Sequence, residues 1–181
     1  DLARPTVSVS VNTSTGKPVV KWETVSGASK YYVYRSTKKD SGYTKVYSTS
    51  KARSYTDTSA TVGKTYYYKV LAVHSNTSAN SAYSTVLSQV CDLARPTVSI
   101  SCNSKGQPYL KWSTVRSAKS YRIYRSKSSS GTYSYLGTTT SLKYADKTAK
   151  AGTKYYYKIR AVHSNSNANS AYSSPKSITA K

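Results

Sequence analysis

The 181-residue sequence has few acidic residues and no long apolar run. It contains 6 Asp and Glu against 28 Lys and Arg, which gives a formal net charge of +22. A charge of that size favours polyanionic partners and carries no information about the fold. Because no apolar run is long enough to cross a bilayer, the sequence predicts no membrane insertion.

Methionine and phenylalanine are absent, and only two cysteines are present. Since the first residues recur at the start of a second copy, we expect a monomeric segment of a longer repeat array. Cys102 lies in an alternating apolar series and is predicted to be a small core residue. Cys91 lies at the junction of the copies. Its favoured states are a reduced thiol or a disulfide to another chain. A bridge to Cys102 is also considered, but the extended residues between them would hold the sulfurs apart.

The sequence contains an internal repeat. Residues 1–8 (DLARPTVS) recur as residues 92–99, a repeat of about 90 residues, which is the size of one small domain. We therefore expect two domains, 1–91 and 92–181. Each copy has about seven short runs of β-branched and aromatic residues between polar turns, without helical periodicity. The sequence predicts an all-β fold with one immunoglobulin-like, seven-stranded β-sandwich per copy.

The longest predicted strand lies in segment 63–76, which returns almost unchanged as 152–165. Alternate side chains of a strand point to opposite faces. The second copy replaces Leu71 by Arg160, so we expect the Leu71 face to contact water, whereas the face of Val70 is expected to be buried. The predicted core face comprises Tyr66, Tyr68, Val70 and Ala72. The predicted outer face comprises Tyr67, Lys69, Leu71 and Val73.

Each copy contains one tryptophan, Trp22 or Trp112, at an inward position of its second predicted strand. Burying a tryptophan removes roughly 200 Å² from water. We therefore expect the two tryptophans to be the centres of two separate cores and not ligand platforms. Tyr31 and Val33 are predicted to face the first core, and residues 82–87 are predicted to form the last strand of the first copy.

This set of residues resembles the fibronectin type III domain. The resemblance rests on Trp22, Tyr31-x-Val33 and Gly63-x-x-Tyr66-x-x-x-Val70-x-Ala72, with an equivalent set in the second copy. It covers essentially the whole chain and is greatest for the Lys- and Tyr-rich versions repeated in secreted and surface proteins of Gram-positive gut bacteria. It implies tandem fibronectin type III sandwiches, a secreted or cell-surface location, and a tyrosine corner at Tyr66 and at Tyr155. No Arg-Gly-Asp tripeptide is present, so an integrin-binding role is not implied.

The sequence shows no catalytic, cofactor-binding or metal-binding motif. Asp57 and Asp146 each end a strand without a second carboxylate nearby, so we expect them to accept turn N–H groups rather than act as general acids. His74 and His163 occur once per copy, without a nucleophile elbow or metal-ligand spacing, and are predicted to be polar loop residues. The sequence therefore predicts a non-enzyme that requires no cofactor.

The outer face of the predicted sheet is the candidate binding surface. Tyrosines beside lysine or arginine offer flat apolar area, hydroxyl groups and cations to a partner. The alternative is an ordinary solvated sheet face, on which tyrosine serves β-propensity and cross-strand packing. The predicted surface comprises Tyr32, Tyr34, Tyr67, Lys69 and Leu71 in the first copy, and Arg122, Tyr124, Tyr156, Lys158 and Arg160 in the second.

Four functions are compatible with these features. The first is a non-catalytic spacer and adhesion array of a bacterial surface protein, bound through its charge to anionic glycans or cell-wall polymers. The second is a specific binder of a host protein such as immunoglobulin. The third is an accessory module of a larger extracellular enzyme. The fourth is nonspecific nucleic-acid binding, which the charge permits, although no recognition helix or RNA-binding motif supports specific binding.

Overall fold

The computed structural model describes every residue of the chain, Asp1–Lys181. The chain divides into two compact units, which we call the first unit (Asp1–Asn12 and Gly16–Cys91) and the second unit (Thr13–Thr15 and Asp92–Lys181). The regular secondary structure of both units is β-strand, apart from the short 3₁₀ turns Thr77–Ala79 and Ser166–Ala168. Neither helical turn has the length and apolar character that a bilayer-crossing helix needs.

Seven strands build the first unit as two antiparallel sheets. One sheet has three strands in the order β1-β2-β5, and the other has four in the order β4-β3-β6-β7. The strands are β1 (Val7–Val11), β2 (Pro18–Trp22), β3 (Lys30–Ser36), β4 (Thr44–Thr49), β5 (Ser54–Thr56), β6 (Thr65–Val73) and β7 (Leu87–Val90).

The second unit repeats this arrangement with sheets β12-β9-β8 and β11-β10-β13-β14. Its strands are β8 (Val98–Cys102), β9 (Pro108–Trp112), β10 (Ser120–Ser126), β11 (Ser134–Thr139), β12 (Lys143–Ala145), β13 (Lys154–Val162) and β14 (Lys176–Thr179). The predicted all-β fold with seven strands in each copy is confirmed.

The core of the first unit lies between its two sheets. Trp22 is only 4% exposed and packs against Tyr31, with ring centroids 5.9 Å apart. Val33 and Val70 are fully buried opposite one another on neighbouring strands. The strand alternation thus places the predicted core residues inside, and Trp112 is buried in the same way in the second unit.

The predicted last strand at 82–87 is wrong, because the ladder of β7 begins only at Leu87. The preceding segment runs along β6 and bonds to it partly through side chains. Ser81 Oγ accepts from Ala72 N at 3.0 Å, and Ser84 Oγ accepts from Val70 N at 2.9 Å. Hydroxyl oxygens take the place of strand carbonyls there, so the residues are held against β6 without forming a strand.

Val73 was predicted on the outer face and is instead buried. It is the last residue of β6, and Ser29 donates to its carbonyl oxygen through both N (2.8 Å) and Oγ (2.9 Å). The chain then returns toward the strand, since His74 N donates to Asn80 Oδ1 at 3.0 Å. With loops held at both sides of this strand end, burial no longer follows the alternation.

Both cysteines are thiols. The Cys91 side chain is fully buried, with its Sγ 3.6 Å from the carbonyl oxygen of Ala60. That burial leaves no surface for a bridge to another chain. Cys102 is only half-buried at the end of β8, so its prediction as a core residue is wrong.

Candidate binding surface

Each unit encloses one carboxylate beneath its four-stranded sheet. In the first unit, Asp57 is fully buried and accepts from Arg35 Nη1 at 2.9 and 2.8 Å, from Ser59 Oγ at 2.7 Å and from Tyr68 OH at 2.8 Å. Burial alone would raise the pKa of Asp57, but these hydrogen bonds hold it below its usual value. The turn N–H partner expected for Asp57 is replaced by side chains.

The second unit builds the same network around Asp146. The carboxylate accepts from Arg125 Nη1 at 2.7 Å and from Tyr157 OH at 2.8 Å. It also accepts from Thr148 Oγ1 at 2.7 Å and from Thr148 N at 3.0 Å, so the predicted turn N–H bond is confirmed for this residue. Because burial and the bond to the carboxylate raise the pKa of Tyr157, the phenol stays protonated as a hydrogen-bond donor. This arrangement supports the fold and presents no reactive group to solvent.

The predicted tyrosine corner is present in both units. The Tyr66 hydroxyl accepts from Thr61 N at 3.0 Å, and the Tyr155 hydroxyl accepts from Lys150 N at 3.3 Å. The guanidinium of Arg35 lies 5.0 Å from the ring centroid of Tyr66. The arginine therefore joins the corner to the buried carboxylate.

The two histidines organise loops, as predicted. His74 Nδ1 accepts from Asn76 N at 3.0 Å, and His163 Nδ1 accepts from Asn165 N at 3.0 Å. The structure contains no group of three or more His, Cys, Asp or Glu side chains arranged to hold a metal ion.

The ten residues of the candidate surface lie on the outer faces of the two four-stranded sheets, five in each unit. In the first unit, Tyr32 pairs with Leu71 and Tyr34 pairs with Lys69 across β3 and β6. The second unit has the corresponding pairs Arg122 with Arg160 and Tyr124 with Lys158. Tyr67 and Tyr156 lie opposite Ser36 and Ser126, respectively, in the same registers.

The outer-face lysine of the first unit lies between two aromatic rings. Lys69 Nζ is 4.3 Å from the ring centroid of Tyr43 and 3.8 Å from that of Tyr83. Tyr83 also meets Tyr34 edge to face, with centroids 5.3 Å apart. Cation–π contacts thus fix the ammonium group in a defined position on the surface.

The equivalent cluster in the second unit uses different partners. Lys158 Nζ lies 4.0 Å from the ring centroid of Tyr133, while the guanidinium of Arg160 lies 5.3 Å from that of Tyr172. Tyr172 meets Tyr124 edge to face at 5.1 Å. Both units therefore present a cationic and aromatic outer face.

Four tyrosines of these clusters were missed by the sequence interpretation, which considered only β3 and β6 and their counterparts. They come from turns and from the loop before the last strand, where no alternation marks a face. Their recurrence in both copies was the available signal. The missed residues are Tyr43, Tyr83, Tyr133 and Tyr172.

Solved structures with the same architecture are found over nearly the whole chain. A two-domain fibronectin type III segment of chicken tenascin matches with 17% identity and a TM-score of 0.53 over 99% of both chains. Both units have the fibronectin type III fold. The chicken interferon gamma receptor alpha chain matches with 15% identity and a TM-score of 0.66 over 97% of both chains. No family model matches the chain, and no curated protein does.

At these identities the likeness extends to the fold alone, so the fibronectin type III prediction is confirmed for the architecture. Within this fold, the candidate surface lies on the sheets β4-β3-β6-β7 and β11-β10-β13-β14. The bacterial, secreted origin implied by the Lys- and Tyr-rich repeat stays a prediction.

Proposed function

We propose that the chain is a non-catalytic module of a bacterial cell-surface protein that serves adhesion and spacing by binding anionic glycans. The observation that carries the proposal is the outer-face lysine held against tyrosine rings in both units, 3.8 Å from Tyr83 for Lys69 and 4.0 Å from Tyr133 for Lys158. A glycan can place an acidic group on the cation and the C–H face of a sugar on the neighbouring rings.

The charge distribution supports an anionic partner. The salt bridges of the chain join Arg35 to Asp57 and Arg125 to Asp146. Most of the 28 Lys and Arg residues therefore have no carboxylate partner within the chain. A polyanion supplies the missing counter-charge, and its binding should weaken with salt because exposed charges are screened.

The test compares two double variants that remove the same charge. Lys69→Gln with Lys158→Gln changes the outer faces, whereas Lys21→Gln with Lys111→Gln changes exposed lysines of the three-stranded sheets. On immobilised heparin, used as the anionic probe, we expect the first variant to elute at clearly lower salt than the second. Equal elution of the two variants contradicts the proposal, because it assigns binding to diffuse charge.

A second candidate is a specific binder of a host protein. The exposed tyrosines favour it, since Tyr83, Tyr135 and Tyr172 leave large ring surfaces in solvent and tyrosine is enriched in protein interfaces. Pull-down from serum and mucosal secretions distinguishes the candidates. A stoichiometric protein partner that survives moderate salt supports this function, and beads without such a partner reject it.

A further inference from the structure

The outer faces of the two units differ at the boundary between β3 and β4 and its counterpart between β10 and β11. In the first unit, Lys45 Nζ lies 4.2 Å from the ring centroid of Tyr32 and covers this boundary. The second unit exchanges the two residue types between the strands, with Arg122 on β10 and Tyr135 on β11. A depression of about 320 Å³ lies at this boundary of the second unit, lined by Arg122, Tyr124, Tyr135 and Thr138.

The aromatic wall of this depression is exposed and held in place. Tyr135 is 56% exposed, yet its hydroxyl is 2.8 Å from Thr138 Oγ1. Its ring meets Tyr124 at a centroid distance of 5.7 Å, and Tyr124 also contacts Tyr172 at 5.1 Å. A ring fixed on one side and open to solvent on the other offers a flat apolar surface to a ligand.

The cation of the depression lacks an acidic partner. Arg122 lies directly opposite Arg160, and like charges in that position destabilise a sheet. Arg160 is held separately, since its Nε donates to the carbonyl oxygen of Ser170 at 2.8 Å and Asp92 interacts with its charge. The salt bridge of this unit uses Arg125 and not Arg122. An anion bound at Arg122 would offset the repulsion.

We propose that Arg122, Tyr124, Tyr135 and Thr138 form a subsite for one carboxylated sugar residue, a hexuronate unit of an acidic polysaccharide. The guanidinium group matches a planar carboxylate through two parallel N–H bonds. The C–H face of the pyranose ring lies on Tyr135, and the sugar hydroxyls meet Thr138 Oγ1. The inference rests on the proposed function and gives it a ligand class and a position.

The primary experiment titrates the full chain with trigalacturonate and follows backbone amide shifts by NMR. We expect the largest shifts at the four subsite residues and a weakening of about tenfold or more in Arg122→Gln, because a bidentate charged pair is lost. Arg116→Gln removes one exposed positive charge from a loop of the same unit and should leave the affinity within about twofold. Equal affinity of Arg122→Gln and the unmodified chain overturns the subsite.

A transplant tests whether the exchange of residues creates the subsite. Tyr32→Arg with Lys45→Tyr leaves the net charge unchanged and gives the first unit the arginine and the tyrosine of the second, while Ser48 supplies the hydroxyl at the position of Thr138. We expect trigalacturonate to shift the amide signals of β3 and β4 in this variant as strongly as those of β10 and β11. A variant whose amide spectrum shows it to be folded, but whose β3 and β4 signals respond no more than in the unmodified chain, overturns the assignment.

Two further comparisons test whether the carboxylates of the ligand are recognised and distinguish failure of the subsite from failure of the proposed function. Methyl-esterified trigalacturonate keeps the sugar rings without the carboxylates, and binding equal to that of the acid overturns the role of Arg122. The subsite fails and the proposed function stands if Arg122→Gln leaves the affinity for trigalacturonate unchanged while Lys69→Gln with Lys158→Gln still lowers retention on heparin. If the heparin difference vanishes as well, the proposed function fails with it.

Discussion

The two units keep one set of contacts and vary another. Around the buried carboxylate, Tyr68 and Tyr157 each donate to the aspartate at 2.8 Å, and an arginine lies within hydrogen-bond distance in both units. On the outer face, by contrast, Tyr32 opposite Leu71 becomes Arg122 opposite Arg160. A buried charge tolerates no loss of a partner, whereas a solvated face can change its chemistry at little cost in stability.

The largest expected effect comes from the shared network. Asp57→Ala or Asp146→Ala leaves an arginine and a tyrosine hydroxyl beneath the sheet without their acceptor, which should destabilise the affected unit by about 3 kcal/mol. Urea denaturation followed through NMR amide signals of each unit measures the loss. The two variants should cost the same within about 1 kcal/mol, and a large difference would show that the networks are not equivalent.

Alanine substitutions of neighbouring tyrosines on one strand should differ sharply in their cost in stability. Tyr66→Ala removes the corner and a core ring, at a cost of roughly 3 kcal/mol, whereas Tyr67→Ala changes only the outer face and should cost less than about 1 kcal/mol. The matched variants Tyr155→Ala and Tyr156→Ala repeat the test in the second unit. Thermal melts in the reverse order would overturn the facing of this strand, and the candidate surface with it.

A smaller effect should appear when the second unit is made to resemble the first. Arg122→Tyr removes the repulsion with Arg160 and should raise the stability of that unit by about 0.5 kcal/mol, the scale of a cross-strand pair. Denaturation of this variant beside Lys111→Tyr, a replacement on the other sheet, provides the comparison. If Arg122→Tyr lowers the stability of the second unit, the pair of arginines does not destabilise it.

The last comparison concerns pH. Burial raises the pKa of Asp92 to about 6, and its Oδ1 has no hydrogen-bond partner, whereas the repeat-equivalent Asp1 is exposed. Because the folded state binds this proton more tightly than the unfolded state, stability should fall as the pH rises from about 4 to 6 and then level off. Asp57 and Asp146, with lowered pKa values, act in the opposite direction below about pH 4.

Asp92→Asn isolates the first contribution. The variant should lose the decline between about pH 4 and 6 while keeping the loss of stability at lower pH. Denaturation midpoints at several pH values for the variant and the unmodified chain provide the measurement. A decline that persists unchanged would place its origin elsewhere.

Sequence alternation was sufficient for the core and for the outer-face residues of β3 and β6. Comparing the copies also identified the faces, since Leu71 and Arg160 cannot both be core residues. It was not sufficient for the end of β6 or for the last strand. Ser81 and Ser84 imitate a strand through their side chains, and no period in the sequence records that substitution.

The clusters depend on contacts between distant segments. Asp57 contacts Arg35, which lies 22 residues away in the sequence, and Lys69 on β6 contacts Tyr43, which lies just before β4. The first pair joins β3 to the residue that follows β5 of the other sheet, and the second follows from the register of β3 with β4 and β6. Short sequence motifs specify neither. The sequence therefore predicted where the outer face lies, whereas the structure showed which rings hold each cation.

The serine contacts along β6 have a consequence for a chain built of two related copies. Ser84 Oγ accepts from Val70 N and donates to the carbonyl oxygen of Thr85 at 2.9 Å. In the second unit, Ser170 Oγ accepts from Ala161 N and donates to the carbonyl oxygen of Ala171 at 2.8 Å. A hydroxyl that closes on its own backbone ends the ladder, because it offers no row of groups to a further strand. Val70 and Ala72 therefore have no N–H left to pair with a strand of another copy, and exchange of strands is a recurrent route to misassembly in repeat proteins.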